Sequence, residues 1–211
     1  MTNIYLITGF PGIGKSTLLT KITDLLKTKT DSIYLNSLET KIPVEFIYTS
    51  FETSKDPYGL IIGEKGISLP SLDGAPISQR WLDQEIAMAF KDLCNQNFRI
   101  VLAESVRFAS WDLLALIRVL CAEEVSKSTI LWLNTSLERI VQQLANRHSR
   151  TLSTNPIIRS DILQQIKEFN QRKIMIPTGW ITKEIWLSED VEKAANQILS
   201  EIEEIDPNLS H

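Results

Sequence analysis

The sequence predicts an α/β fold of three layers, with a central, mainly parallel sheet of about five strands. Three observations lead there. Short apolar runs alternate along the chain with longer stretches of helical periodicity, the pattern of parallel strands joined by crossover helices. A glycine-rich turn links the first apolar run to the first helical stretch. The composition, 43% hydrophobic and 23% charged over 211 residues, suits one globular domain with a sizeable core and excludes disordered, collagen-like and coiled-coil chains.

The elements follow in order. Ile4-Tyr-Leu-Ile-Thr8 reads as the first strand, and residues 15–27 as the helix after the turn. Residues 32–36 give a second strand. The stretch 37–77 breaks the alternation and reads as an insertion: 44–51 is strand-like, and Gly63-Glu-Lys-Gly66 between apolar triplets reads as the turn of a β-hairpin. Ser78 caps a helix reaching residue 95, with Trp81, Leu82, Ile86, Ala89, Phe90 and Leu93 near helical spacing. Arg99-Ile-Val-Leu-Ala103 and Thr129-Ile-Leu-Trp-Leu133 have the continuous apolar character of buried strands, with a helix over 110–124 between them. Thr135-Ser-Leu-Glu138 reads as a capping box opening a helix to about 148. Helices over 160–173 and 189–205 flank a closing strand at 184–187. One domain over 1–206, with a frayed tail at 207–211, accounts for the chain.

Charge and cysteine usage narrow the function classes. A net charge of −4 argues against electrostatic binding of duplex nucleic acid or anionic membrane. Cys94 and Cys121 lie in helical segments with no CxxC spacing and only His148 and His211 to join them, so they read as buried hydrophobes, not metal ligands. No apolar run approaches the roughly 20 residues needed to span a bilayer. The expected location is the cytoplasm.

The sharpest motif is Gly9-Phe-Pro-Gly-Ile-Gly14-Lys15-Ser16, which matches G-x-x-x-x-G-K-[ST] between a strand and a helix. The chemistry requires these residue types. Gly9, Gly12 and Gly14 allow backbone dihedrals that turn successive N–H groups onto phosphate oxygens. The helix starting near Lys15 points its positive end at the same anion. Lys15 can reach the outer phosphates, and Ser16, with Thr17 beside it, can ligate Mg²⁺. Gly9, Pro11, Gly12, Ile13, Gly14, Lys15, Ser16 and Thr17 therefore form the expected nucleotide-binding loop of a P-loop NTPase fold, with ATP and Mg²⁺ as cofactors. The sequence lacks an Asn-Lys-x-Asp guanine motif and a Leu-Ser-Gly-Gly-Gln signature, which argues against GTPases and transporter ATPases.

The chain resembles the P-loop kinases, near their polynucleotide kinase and chloramphenicol phosphotransferase branches. The loop wording, Ile100-Val-Leu-Ala-Glu104-Ser105, the segment Leu131 to Glu138 followed by Leu144-Ala-Asn-Arg147, Ile158-Arg-Ser-Asp-Ile162 and Gly66-Ile-Ser-Leu69 carry the resemblance. It implies Glu104 as a carboxylate near the metal and a lid over about 147–160 bearing Arg147, Arg150 and Arg159. Mobile arginines suit the charge that develops on a transferring phosphoryl group. Many members carry Asp after the second strand as base for the acceptor hydroxyl. Here the segment reads Leu35-Asn36-Ser37-Leu38-Glu39, and Asn134 stands where Asp is common, so Glu39 and Glu104 are both candidate bases.

Other positions have two readings. Arg80 and Arg107 can hold an acceptor or sit at the surface, and Tyr48, Phe51 and Tyr58 can line an acceptor pocket. Trp81, Trp111, Trp132 and Trp186 are expected in the core; Trp180 can stack on adenine, though core packing is the better reading. The expected activity is transfer of the γ-phosphoryl group of ATP to a hydroxyl of a small molecule, a nucleoside or a nucleic-acid 5′ end. The alternative is a nucleotide-dependent switch or slow NTPase acting through a protein partner.

Overall fold

The computed structural model describes residues 1–25, 29–36, 43–53, 56–62, 79–95, 100–147, 156–188 and 190–202. Along the chain run β1 (Thr2–Thr8), α1 (Lys15–Leu25), β2 (Lys29–Asn36), β3 (Pro43–Thr53), β4 (Asp56–Ile62), α2 (Gln79–Asn95), β5 (Ile100–Glu104), α3 (Trp111–Leu120), β6 (Val125–Asn134), α4 (Leu137–Arg147), α5 (Pro156–Gln171), β7 (Ile181–Trp186) and α6 (Val191–Glu201). Short 3-10 turns occupy Val106–Ala109 and Arg172–Met175.

The strands form one sheet in the order β2-β3-β4-β5-β1-β6-β7. From β4 to β7 every neighbouring pair is parallel, and β2–β3 and β3–β4 are antiparallel. The α/β class is as predicted, but the described residues contain seven strands where about five were expected. The insertion supplies the difference. Its hairpin also turns elsewhere: β3 and β4 pair with each other, with residues 54 and 55 between them. Both edges of β4 are occupied, by β3 and β5. The expected turn at 63–66 itself lies outside the described residues, as do Ser78, the segment 148–155 and the tail.

Period-2 alternation in the central strands builds two cores. Ile4 and Leu6 of β1, Val101 and Ala103 of β5, and Ile130 and Trp132 of β6 face a cluster with Phe90, Leu113, Leu114, Ile117 and Phe169 of α2, α3 and α5. Tyr5, Ile7, Ile100, Leu102, Leu131 and Leu133 face the other side, against Leu18 and Ile22 of α1 and Ala194, Ala195 and Ile198 of α6. Strands covered on both faces must be apolar throughout, which is why they read as continuous runs.

Two helix starts differ from expectation. The cap of α4 is shifted by one residue: Ser136 Oγ accepts from Arg139 N–H at 3.3 Å, while Thr135 Oγ1 donates to Leu187 O at 2.7 Å. Helix α5 begins at Pro156 instead of residue 160, with proline at the first helical position, where its missing N–H costs nothing.

Candidate functional site

The parallel register brings the C-terminal ends of β1, β5 and β6 level, with Ile7 opposite both Glu104 and Leu131. Ligands of open parallel sheets bind outside this edge. The glycine loop leaves β1 at that edge and is anchored on both sides of the sheet. Phe10 packs edge-on against Phe169 at 5.9 Å in one core, and Ile13 is buried in the other. Ile13 N–H donates to Phe10 O at 3.2 Å and tightens the turn between them.

The loop glycines serve two different needs. Gly12 and Gly14 adopt φ of 83° and 105°, in the left-handed region that other residues avoid. Gly9 does not share that conformation, contrary to expectation; its need is space, since a Cβ there would lie 3.0 Å from Leu133 Cβ and 3.2 Å from Leu133 O. A Cβ on Gly12 would also meet Leu144 of α4 at 3.0 Å, so the helix leading towards Arg147 packs directly over the loop.

Lys15 opens α1 and is buried, its Nζ donating to Gly9 O at 3.1 Å and lying 3.5 Å from Phe10 O. These loop carbonyls hold the ammonium where incoming phosphate oxygens can replace them. Next to it, Ser16 Oγ donates to Glu104 Oε1 at 2.9 Å. Glu104 is only 2% exposed at the end of β5. The sequence-predicted Lys15, Ser16 and Glu104 are thus brought together from two elements. A hydroxyl and a carboxylate are hard oxygen donors, and Mg²⁺ takes few protein ligands and leaves the rest to water and phosphate, so this pair fits that ion. Among the described residues no group of three or more His, Cys, Asp or Glu side chains offers an alternative metal cage.

Beyond β5, Ser105 N–H donates to Ile7 O at 3.1 Å, and Ser105 Oγ caps the 3-10 turn by accepting from Arg107 N–H at 3.1 Å. Arg107 is largely buried and lies 3.5 Å from Asp83 of α2, which is itself buried. Desolvation lowers the guanidinium's pKa and the Asp83 charge opposes that shift. Arg107 therefore ties α2 to the turn after Glu104. Arg147 is the last residue of α4, Arg80 lies in α2, and Arg150 and Glu39 lie outside the described residues. Arg159 pairs with Glu138 at 2.8 Å on the surface of α4 and α5.

A cleft of about 540 Å³, which sequence reasoning missed, opens beside the loop. Ser136, Glu138, Arg139 and Gln143 line one wall, and Trp186, Leu187 and Ser188 the other. Gln143 and Leu187 also lie against Gly14, at 3.7 and 3.2 Å from where its Cβ would be, so the cleft is continuous with the glycine loop. Arg139 Nη1 donates to Ser188 O across it. Trp186, expected in the core, is 62% exposed at its rim because β7 is the edge strand. Trp111 is likewise exposed, on the outer face of α3. Trp132 and Trp180 are buried, Trp180 donating to Leu114 O at 3.3 Å, so core packing and not base stacking describes Trp180. No helix among the described residues is long and apolar enough to cross a membrane.

No protein-family model and no curated protein matches the chain. Solved structures match it in fold. A sugar kinase from Janibacter sp. HTCC2649 aligns over 100% of this chain and 99% of its own, with a TM-score of 0.53 at 12% identity. The tunicamycin resistance protein of Deinococcus radiodurans aligns over 96% of each chain, with a TM-score of 0.53 at 11% identity. The chain has a P-loop kinase fold.

Proposed function

We propose that this protein is an ATP- and Mg²⁺-dependent kinase that transfers the γ-phosphoryl group to a hydroxyl of a small molecule, a nucleoside or a nucleic-acid 5′ end. The observation that carries the reading is the contact of Ser16 Oγ with buried Glu104 at 2.9 Å, beside Lys15 on a loop with two left-handed glycines. Amides of the loop and the start of α1 receive the phosphates. Lys15 exchanges its carbonyl contacts for phosphate oxygens. The cleft beside Gly14 takes the base and ribose, its size falling within the range of about 300–1,000 Å³ usual for such ligands. Ser16 and Glu104 would hold Mg²⁺, which when bound would supply charge neutralisation on the outer phosphates. The acceptor oxygen attacks the γ-phosphorus, the bond to the bridging oxygen breaks, and the acceptor proton passes to a carboxylate. Lys15, Arg147 and Arg150 offset the charge on the equatorial oxygens.

The test is radiolabel transfer from γ-labelled ATP to separate pools of nucleosides, 5′-hydroxyl oligonucleotides and hydroxylated antibiotics. Label in one pool establishes the kinase and its acceptor class. Lys15→Ala is expected to reduce transfer by at least about 10²-fold with an unchanged circular dichroism spectrum; unaltered transfer would sink the mechanism. A second reading, a nucleotide switch or slow NTPase working through a protein partner, is favoured by one observation: β2 ends at Asn36, and Ser37-Leu38-Glu39 with no Asp follows it. ATPase activity stimulated by a protein and by no acceptor pool would select it.

A further inference from the structure

Helix α3 is apolar nearly all round: apart from Asp112 and Arg118, every residue from Trp111 to Leu120 is apolar. Its inner face, Leu113, Leu114 and Ile117, is fully buried in the core. A helix that is apolar on its outer side as well belongs between two packed layers. Here that outer side faces solvent. Trp111 is 53% and Val119 74% exposed, with half-buried Ala115 midway between them. Steps of four residues set the three on one stripe about 12 Å long, a continuous surface and not a scatter of single residues. The stripe borders a groove of about 600 Å³ whose other wall is Asp83 and Gln84 of α2. Met88, one turn beyond Gln84, is exposed too.

The charges flanking the stripe say what covers it. Asp112 lies in the first turn of α3 and Arg118 in the last, both exposed, each three residues from Ala115. Arg118 is steadied at the surface by donating from Nη1 to Gly179 O at 3.1 Å. Suppose a second copy of the helix packs antiparallel about a two-fold axis at Ala115. Positions equally far before and after Ala115 then come level across the contact. Asp112 is level with the other copy's Arg118, and the bulky Trp111 with the other copy's smaller Val119. Ala115, at the axis, lets the two backbones approach closely. A parallel pairing would instead set Asp112 beside Asp112 and Arg118 beside Arg118, and like charges in contact oppose association. The face is therefore complementary to itself in one orientation. We infer that the outer face of α3, with the adjoining groove, is the interface at which two copies of this chain form an isologous dimer. The opposite charges at its two ends select the antiparallel arrangement, and burial of the apolar stripe drives association.

The experiment is sedimentation velocity of the full-length protein over a wide range of concentration. The expected result is a reversible equilibrium between monomer and dimer. Val119→Asp, at a position too exposed to disturb the core, should weaken it at least about tenfold. Asp112→Arg and Arg118→Asp each bring like charges level across the contact, so each alone should weaken it several-fold. The double variant restores opposite charges, as does an equimolar mixture of the two single variants, and both should regain association. Recovery in the mixture, which holds nothing but the two weakened chains, assigns the loss to the contact and not to the fold of either. A wild-type chain that is monomeric at every concentration, leaving the face to a different protein or a small molecule, overturns the inference. So does a dimer that Val119→Asp leaves intact, or a mixture of the charge variants that associates no better than either alone.

Discussion

Ser16 and Glu104 are 88 residues apart in sequence and 2.9 Å apart in space. If hydroxyl and carboxylate hold one ion together, removing either removes the function of both. Ser16→Ala and Glu104→Gln should each lower kcat/KM by roughly 10²-fold, and the double variant should be no worse than the poorer single one. The measurement is a double-mutant cycle on kcat/KM and on the Mg²⁺ dependence of nucleotide affinity; additive losses would mean two unrelated roles. The glycine loop was legible in sequence because its motif sets the residue types almost one by one. What sequence does not reveal is why a glycine is needed. Gly12 and Gly14 need left-handed dihedrals, whereas Gly9 needs the space that Leu133 occupies, and the letter is the same in all three.

Elements carry the next level of meaning, and the order of strands changes which carboxylate matters. Glu39 was a candidate base because it follows the second strand in sequence. In the sheet, β2 is three places from β5, about 14 Å across at the usual strand spacing. The strand beside β5 is β4. Of the two candidate bases, Glu39→Gln is therefore expected to change kcat only a few-fold, against about 10²-fold for Glu104→Gln; steady-state kinetics with the identified acceptor check it. The central strands were legible because burial on both faces makes them apolar throughout. The insertion was not, because an apolar run shows that a strand exists and says nothing of its partner. Trp186 has the same cause: Ile185 beside it is buried, but the edge position of β7 leaves the indole exposed at the cleft. Trp186→Ala should raise the KM for the nucleotide several-fold while shifting the denaturation midpoint little, since an exposed side chain contributes little to the core.

At the scale of the whole molecule, two cores hold the sheet and a set of ion pairs ties the outer elements to it. Lys21 of α1 meets Glu192 of α6, Lys91 of α2 meets Glu124 before β6, Lys183 of β7 meets Glu201 of α6, and Lys173 meets Glu184 of β7. Their titration sets how stability depends on pH. The hydrogen bond from Lys91 holds Glu124 below its ordinary value of 4.5, and that from Lys173, helped by Asn134 at 2.7 Å, does the same for Glu184. A carboxyl with a depressed folded pKa stabilises fully above its unfolded value, and the contribution is lost as pH falls through the folded value. The bonds to Glu192 and Glu124 raise Lys21 and Lys91 above 10.5, so their contribution is full below that value and is lost as pH rises through the higher folded one. Stability should therefore decline at both ends, below about pH 4.5 and above about pH 10.5, when denaturant midpoints are measured across pH. Glu184→Gln isolates one of these groups. Glu184 is more than half exposed, so solvent screening limits the effect to under about 1 kcal/mol. The variant should be slightly less stable than the wild type at pH 7, and the gap should close as pH falls through the folded value of Glu184, below 4.5. The same gap should shrink in high salt at pH 7. A difference that survived both acid and salt would assign the contribution of Glu184 to packing instead of charge.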